Sequence, residues 1–344
     1  MPEFAKPLVI AHRGCPGRRL EHTRPSYDLA IDDGADYIEP DVVASRDGHL
    51  VVRHENEIGS TTDVADHPEF ADRRTTKTVD GVEKDGWFTE DFTLAELKTL
   101  RAKERIPDVR PGNVPLEGTE EILTFDEVVA IAEEGSVRRG TPVGVYVETK
   151  HPTYFAGIGL DLNDLLLVAL ERLGLNHEDA PVIVQSFESG NLQDFRRRSP
   201  LFLVQLMSPR GAPADFVAAG DPRTYADLMS EEGLAFVATY ADAIGPFKNL
   251  VIGLDDDGNL GEPTGLIERA HAAELDVHIW TMRDENAFLP ANLRIGTDKS
   301  DYGDMLPEYL AFLDAGVDGM FPDFTQTAVQ AREMWGTDAG PPSA

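Results

Sequence analysis

The stretch that decides the fold reads Leu8-Val9-Ile10-Ala11-His12-Arg13-Gly14, a short apolar run that ends in polar residues. Such a run is typical of a buried parallel strand whose C-terminal end delivers side chains out of the core. His12 and Arg13 are therefore expected at a strand tip. An imidazole and a guanidinium placed together there are suited to acid–base chemistry and to anion binding.

A second strand is predicted over residues 37–43, and it carries Glu39 and Asp41. Side chains alternate along a strand, so these two carboxylates point the same way, about 6 to 7 Å apart along the backbone. Two carboxylates on one buried face repel each other unless something positive lies between them.

Asp47-Gly48 is a strong signal for a tight hairpin, because apolar residues flank it on both sides. If these two residues form the loop, Arg46 pairs with His49, and counting outward places Asp41 directly opposite His54. The pattern thus predicts a second histidine beside the carboxylate pair.

Strands and helices alternate regularly after Thr124. Predicted strands cover residues 143–148, 182–185, 201–205, about 236–239, 277–280 and 317–321, and predicted helices cover 125–135, 162–173, 189–197, about 263–274 and about 304–314. With the strands that begin at Leu8 and Tyr37, this makes eight parallel strands and predicts an α/β fold, a (β/α)8 barrel of the TIM type. In such a barrel the chemistry lies at the C-terminal ends of the strands.

A single barrel domain is predicted over residues 1–335. Residues 55 to about 120 lose regular periodicity and are too long for a plain loop, so we interpret them as an insertion folded over the barrel mouth. Within it, Thr93 and Glu96 predict a capping box at the start of a short helix over residues 93–100. The Gly/Pro-rich residues 336–344 are expected to form a disordered tail.

The charge balance limits the partners of this chain. With 62 acidic and 31 basic residues, the net charge of -31 argues against broad contact with nucleic acid or an anionic membrane. No run of about 18 apolar residues is present, so no stable membrane insertion is expected. The one cysteine gives no disulfide framework, no signal peptide is visible, and no pattern indicates an oligomeric state.

Glu148 and Lys150 repeat the alternate spacing at the tip of the third predicted strand. The carboxylates Glu39, Asp41 and Glu148 together would offer an oxygen-rich site for one hard divalent cation, Mg²⁺ or Ca²⁺, with Mn²⁺ as a further candidate. Arg13 and Lys150 would complete a positive cradle for a phosphodiester.

The two histidines supply the acid and the base for such a reaction. His12 and His54 would lie on either side of the phosphorus, where one takes a proton from the attacking hydroxyl and the other gives one to the leaving alkoxide. Trp280, at another strand tip, is either plain core or the apolar wall of a site for the alcohol.

At this point the chain resembles the glycerophosphodiester phosphodiesterase family, and the resemblance spans almost the whole sequence in family order. The matching segments are Ala11-His12-Arg13-Gly14, Glu21-His22-Thr23, residues 34–42, Asp47-Gly48, His54, Glu148-Thr149-Lys150, Gln185-Ser186-Phe187, Trp280-Thr281 and Gly316-Val317-Asp318-Gly319. The inserted segment looks like that of the larger periplasmic or secreted branch. Two departures stand out: His22 replaces the commoner Asn, and Glu55 follows His54 where Asp is usual.

The resemblance implies a barrel of the phospholipase C-like phosphodiesterase type. It also implies metal-dependent conversion of a small glycerophosphodiester and water into an alcohol and sn-glycerol 3-phosphate, through attack by the substrate's own 2-hydroxyl and a cyclic phosphate. In that scheme we assign His12 as the first base and His54 as the acid, two roles that are interchangeable. A secreted or periplasmic location is expected, with a cytoplasmic one as the alternative.

Two other functions are compatible with the sequence. One is a related phospholipase that acts on lipid or wall-polymer phosphodiesters, which an exposed apolar rim on the insertion would favour. The other is a non-catalytic phosphodiester-binding or adhesion protein. The presence of both histidines and all three carboxylates argues against this last alternative.

Overall fold

Parallel strands form a closed barrel with helices around it in the computed structural model, which describes residues 6–338. The strands of this described part are β1 (Leu8–His12), β2 (Tyr37–Glu39), β3 (Asp41–Ala44), β4 (Leu50–Val52), β5 (Thr75–Val79), β6 (Val82–Gly86), β7 (Gly144–Thr149), β8 (Val182–Ser186), β9 (Phe202–Met207), β10 (Ala243–Pro246), β11 (Ile252–Leu254), β12 (Leu260–Pro263), β13 (Asp276–Met282) and β14 (Gly319–Pro322).

Most of the helices lie between barrel strands in the sequence. They are α1 (Arg24–Asp33), α2 (Leu94–Leu97), α3 (Phe125–Arg139), α4 (Pro152–Gly157), α5 (Leu162–Arg172), α6 (Ser189–Arg198), α7 (Ala214–Ala219), α8 (Tyr225–Leu228), α9 (Glu231–Val237), α10 (Leu266–Ala272), α11 (Leu306–Asp314) and α12 (Thr325–Asp338). None of the helices in the described range is both long and apolar enough to cross a membrane.

The barrel closes in sequence order. Strand β1 pairs with β2, the second position continues past Pro40 as β3, and the ring then runs through β7, β8, β9, β10, β13 and β14 before β14 pairs back with β1. All of these pairings are parallel. The predicted (β/α)8 barrel is therefore confirmed.

Two apolar clusters hold the barrel together. The smaller one fills its interior with side chains such as Ile10, Tyr146, Phe202 and Phe321. The larger one lies between the strands and the surrounding helices. Because both faces of the strands are covered, the strands are apolar nearly throughout and turn polar only where they end, at the mouth.

The sixth barrel strand lies later in the chain than the sequence predicted. Residues 236–239 do not form a strand, since helix α9 runs to Val237 and the strand is β10. The Ser230 side chain accepts a hydrogen bond from the Gly233 backbone and starts the helix, whose Leu234 and Val237 are buried one turn apart. The apolar residues that predicted a strand thus lie at the C-terminal end of helix α9, because a short apolar run alone does not distinguish a strand from a buried helix face.

The first hairpin has a three-residue loop rather than the predicted two-residue one. Ser45 pairs with His49, Gly48 adopts the left-handed φ of 77°, and Val42 lies opposite Val52. A three-residue loop with glycine in the left-handed position is the next common hairpin type. The prediction that Asp41 lies opposite His54 is therefore wrong by one residue, because the Arg53 N–H donates to the Asp41 carbonyl.

The insertion follows this hairpin and contains a hairpin of its own, β5–β6, which the sequence did not indicate. The predicted capping box of Thr93 and Glu96 is confirmed, although its helix ends already at Leu97. At the other end of the chain, α12 extends to Asp338, so residues 336–338 of the predicted tail are helical. The remaining residues 339–344 lie outside the described residues.

Candidate active site

The turn after β1 brings two functional groups together. His12 ends the strand beside Glu39 of β2, and Arg13 follows with a left-handed φ of 57°. This conformation points the Arg13 backbone N–H at Glu39 Oε2, 2.8 Å away. Gly14 allows the turn, because a Cβ atom there would lie 2.5 Å from the Ser26 hydroxyl oxygen.

Three carboxylates meet beside this turn. One oxygen from each of Glu39, Asp41 and Glu148 lies within 4.8 Å of the other two, and all three residues are buried. The strand register explains the cluster, since Asp41 of β3 pairs with Glu148 of β7. The structure thus brings together the three residues for which a shared cation was predicted.

The charges of this cluster are not balanced by protein groups alone. Burial, Asp41 and Glu148 raise the pKa of Glu39 well above its usual value, and burial raises the pKa of Glu148 to about 8 although Lys150 opposes the shift. Burial would also raise the pKa of Asp41, but Lys150, His54 and Arg13 together hold it well below its usual value. Asp41 Oδ1 accepts no hydrogen bond.

A divalent cation fits this arrangement. The cluster offers closely spaced carboxylate oxygens, which are the ligands that Mg²⁺ and Ca²⁺ prefer. A cation would relieve the repulsion that helps to raise the pKa of Glu39, and it could use the Asp41 oxygen that accepts no hydrogen bond from the described residues.

Two basic side chains border the carboxylates. Arg13 Nε lies 3.3 Å from Asp41 Oδ2, and the Arg13 Nη1 atom lies 3.2 Å from Glu21. Lys150 Nζ donates to Glu148 Oε1 at 2.7 Å and lies 3.7 Å from Asp41 Oδ1. Both cations are therefore fixed beside the carboxylates and can face an anionic ligand of the same site.

His12 is held in one tautomer by a residue from the far end of the chain. Its Nδ1 atom lies 2.6 Å from Asp323 Oδ1. A carboxylate only accepts, so the proton is assigned to Nδ1, and Nε2 keeps a lone pair. Burial, followed by the charge of Arg13, lowers the pKa of His12 to about 4, and the ring is therefore a neutral base near neutral pH.

His54 reaches the same site by a different route from the one predicted. The chain leaves β4 after Val52, and His54 lies close enough to Arg13, Lys150 and Asp41 for each of them to shift its pKa. Burial and the two cations lower that pKa, and Asp41 opposes the shift. Its Nδ1 atom lies 3.0 Å from Glu55 Oε1, an ion-pair contact without hydrogen-bond geometry.

Trp280 is half-buried at the end of β13. Its indole N–H donates to the Gly245 carbonyl at 2.7 Å, and its ring meets Phe187 and Phe247 edge-on at 5.7 and 5.2 Å. The ring is thus held in place against the apolar cluster inside the barrel, and the residue stays partly accessible.

Several supporting residues were not predicted to lie in the site, although His22 and Gln185 belong to the segments that resemble the family. His22 is fully buried and bonds Asp41 Oδ2 through Nε2 at 2.9 Å, and Gln185 donates to Glu39 Oε1 at 3.1 Å. Asp323 directly follows β14. The argument that selected His12, that polar residues at the C-terminal ends of barrel strands carry the chemistry, which we call the strand-end rule, could have selected Asp323 too.

The insertion also contributes to the site. Arg105 forms a two-pronged ion pair with Glu21, which in turn faces Arg13. Arg110 contacts Asp323 at 2.5 Å and Glu285 at 2.6 Å. Neither arginine carried a motif signal, because each partner is distant in the sequence.

Comparison with known proteins identifies the family. Residues 12–327 match the model of the glycerophosphoryl diester phosphodiesterase family. The chain belongs to this family. It is therefore an enzyme that hydrolyses small glycerophosphodiesters.

Similar proteins support the same assignment. Glycerophosphodiester phosphodiesterase GDPD6 of Arabidopsis thaliana is 35% identical over 348 residues, which cover 96% of this chain and 87% of that protein. A glycerophosphodiester phosphodiesterase of Haemophilus influenzae is 29% identical, with 94% of this chain and 89% of that protein covered. The fold matches a phosphodiesterase of Oleispira antarctica, solved with the product sn-glycerol-3-phosphate, with a TM-score of 0.61 at 19% identity and coverage of 95% and 97%.

Proposed function

We propose that this family member hydrolyses its substrates with one divalent cation, Ca²⁺ or Mg²⁺ with Mn²⁺ as a further candidate, held by Glu39, Asp41 and Glu148. The observation that carries the proposal is the convergence of three buried carboxylate oxygens within 4.8 Å. When bound, such a cation would neutralise the carboxylates and polarise a phosphoryl oxygen. The products are an alcohol and sn-glycerol 3-phosphate.

Arg13 and Lys150 orient the phosphodiester in this proposal. Both lie within 4 Å of Asp41, and both are almost fully buried, so their charges are weakly screened. Trp280 forms the apolar wall against which the glycerol carbons pack. Its ring is fixed by the hydrogen bond to Gly245.

The neutral His12 acts as the first base, because Asp323 leaves its Nε2 lone pair free. It takes the proton of the substrate's glycerol 2-hydroxyl as that oxygen attacks phosphorus. The bond from phosphorus to the leaving alcohol breaks, and His54 gives the alcohol its proton. A cyclic phosphate results, and water opens it with the two histidines in reversed roles.

The charge of the substrate suits this division of roles. In the free protein, burial and the cations Arg13 and Lys150 lower the pKa of His54. An anionic phosphodiester beside the ring would raise that pKa, so His54 would gain its proton when substrate binds. His12 keeps its neutral state through burial and through the nearby Arg13.

The phospholipase alternative is less well supported. It calls for an exposed apolar rim on the insertion, yet in the described residues 55–120 the exposed large aliphatic side chains are those of Val82 and Val114. The two valines lie on different elements, one on β6 and one in the short helix Pro111–Leu116. Such scattered side chains do not form a lipid-binding patch.

A coupled assay for glycerol 3-phosphate on glycerophosphocholine tests the proposal. Chelation should abolish turnover and added Ca²⁺ or Mg²⁺ should restore it. His12→Ala and His54→Ala should each lower kcat by about 100-fold or more. His271→Ala is a matched control, because this partly exposed histidine bonds Asp318 at the start of β14, the opposite end of the barrel.

Three outcomes would count against the proposal. Turnover that is insensitive to chelation would contradict the proposed dependence on a divalent cation. A loss of less than about tenfold in both histidine variants would remove the two-histidine scheme. Failure to detect cyclic glycerol phosphate by phosphorus NMR, even when single turnovers are quenched, would contradict the proposed attack by the substrate's own 2-hydroxyl.

A further inference from the structure

A second compartment opens beside the proposed cation site. It is a cavity of about 270 Å³ that shares Glu148 and Lys150 with that site. From there it extends to Phe187 and Glu188, which follow β8, and to Asp80 at the tip of hairpin β5–β6. Any group attached to a phosphate held at Lys150 could therefore enter it.

Aromatic rings form one side of this cavity. Phe187 and Tyr225 meet edge-to-face with their centres 6.1 Å apart, and the Tyr225 hydroxyl donates to the Phe187 carbonyl at 3.2 Å. Phe187 also contacts Trp280. The face of Phe187 already receives a cation, since Lys150 Nζ lies 5.6 Å from its ring centre. A fixed aromatic surface of this kind attracts cations.

Glu188 places a buried negative group in the same cavity. The residue is 3% exposed, and the Thr153 backbone N–H and hydroxyl donate to its carboxylate. It precedes helix α6 but makes no capping hydrogen bond with its side chain. Burial, followed by the charges of Asp215 and Asp80, raises its pKa to about 7, and no basic side chain in residues 6–338 forms an ion pair with it.

Asp80 adds a second carboxylate from the insertion. Its Oδ2 atom lies 2.5 Å from His151 Nδ1, and it occupies the left-handed turn of the hairpin with a φ of 49°. The basic groups that line the cavity are Lys150, which is paired with Glu148 and Asp41, and His151, which lies between Asp80 and Glu55. Above neutral pH, the end around Glu188 is thus anionic.

We propose that this cavity binds the leaving alcohol of the substrate, and that Glu188 and Asp80 with the rings of Phe187 and Tyr225 select a cationic amino-alcohol headgroup. The inference rests on the proposed function, because that function places the phosphate beside Lys150. A buried, ionised carboxylate without a cationic partner in the described part of the chain favours a positive headgroup and disfavours an anionic one. The aromatic rings strengthen the preference for an ammonium group.

A pair of substrates that differ in charge but not in shape tests the selection. Glycerophosphocholine is compared with the diester in which 3,3-dimethylbutanol replaces choline, an uncharged alcohol of the same branching. Above neutral pH, the wild-type kcat/KM should favour the choline diester by about tenfold. In Glu188→Gln, the kcat/KM values of the two diesters should lie within about twofold of each other, because only the kcat/KM for glycerophosphocholine falls.

Two further variants make the test specific. Asp80→Asn should reduce the ratio in part, and asparagine tolerates the left-handed turn. Asp284→Asn should leave the ratio unchanged. It is a matched control because Asp284 is also a buried carboxylate bonded to a threonine, Thr327, and burial likewise raises its pKa to about 7.

The two proposals fail in different ways. Equal kcat/KM for both diesters in the wild type, or an equal loss on both in Glu188→Gln, would overturn the headgroup cavity and leave the cation and the histidines untouched. Chelator-insensitive turnover with an intact preference for choline would overturn the proposed mechanism alone. Absence of turnover on both diesters would overturn both.

Discussion

His12 and Asp323 lie side by side at the ends of the neighbouring strands β1 and β14, with Nδ1 and Oδ1 2.6 Å apart although 311 positions separate them in the sequence. Asp323 also contacts Arg110 and Arg283, so its carboxylate stays ionised and its pKa lies well below the usual value in spite of burial. The bond sets which nitrogen of His12 faces the substrate. Asp323 is in this sense a positioning residue.

We expect Asp323→Asn to lower kcat by about 100-fold or more, because an amide can donate to Nδ1 and favour the wrong tautomer of His12. KM should change much less, since the buried Asp323 carboxylate contacts His12, Arg110 and Arg283 and not the proposed phosphate ligands. Steady-state kinetics together with thermal unfolding separate this effect from a general loss of structure. Asp284→Asn provides the control, and an equal loss in both variants would contradict the positioning role.

Arg110 ties the insertion to the barrel through two buried carboxylates, Asp323 and Glu285. Arg110→Met should lower the free energy of unfolding by about 3 to 5 kcal/mol, because it leaves buried charge without its partner. Urea unfolding measures the change. Lys299→Ala removes the exposed pair with Asp108 and should cost at most about 1 kcal/mol. Similar losses in the two variants would show that burial does not matter here.

Cation binding should appear as thermal stabilisation even without substrate. A ligand that binds only the folded protein, at about a hundred times its dissociation constant, adds about 2.7 kcal/mol to the free energy of unfolding. Ca²⁺ or Mg²⁺ should therefore raise Tm, and Glu148→Gln should shrink the shift. Potassium chloride at equal ionic strength is the control, because the net charge of -31 makes the chain sensitive to any salt. If the rise in Tm were as large in Glu148→Gln as in the wild type, the cation would be acting only by screening the negative charge of the chain.

His278 should make the fold sensitive to acid. It is buried inside the barrel, its Nδ1 atom bonds the Tyr146 hydroxyl at 2.8 Å, and its Nε2 atom has no hydrogen-bond partner among residues 6–338. Burial lowers its pKa from 6.5 to about 4. A depressed pKa in a base means that the stability is present above pH 6.5 and is lost as the pH falls toward 4.

Between neutral pH and about pH 4.5, this one group should account for about 2 to 3 kcal/mol of lost unfolding free energy. His278→Gln keeps a hydrogen-bonding side chain and removes the titration, so its stability should fall less over the same range. Urea unfolding of both proteins at the two pH values gives the difference, in which the shared carboxylates cancel. If the unfolding free energies of the two proteins fell equally between these pH values, His278 would not be the source of the acid sensitivity.

The strand-end rule accounts for most of what the sequence could predict. His12, Glu39, Asp41 and Glu148 each end or interrupt an apolar run, and a barrel brings such ends to one mouth whatever their separation in the chain. The same rule applies to Asp323, which directly follows β14 but has no second acidic or basic residue at alternate spacing to mark it.

The errors came from local signals that tertiary structure overrode. Gly48 suits both a two-residue and a three-residue hairpin loop, and only pairing along β3 and β4 decides between them. Arg105 and Arg110 lie in irregular chain, where no periodicity marks which side chain turns inward. The expected secreted or periplasmic location stays a prediction.

The insertion supplies the counter-charges of Glu21 and Asp323 through Arg105 and Arg110. A designer who trims this segment to shorten the protein would thereby strip both acids of a partner and disturb the ring of His12 from a distance. The barrel and the insertion must accordingly be engineered, or exchanged between homologues, as one unit. A chimera that receives the strand ends with His12 and the three carboxylates, but not Arg105 and Arg110, would contain every motif residue and still lack the activity.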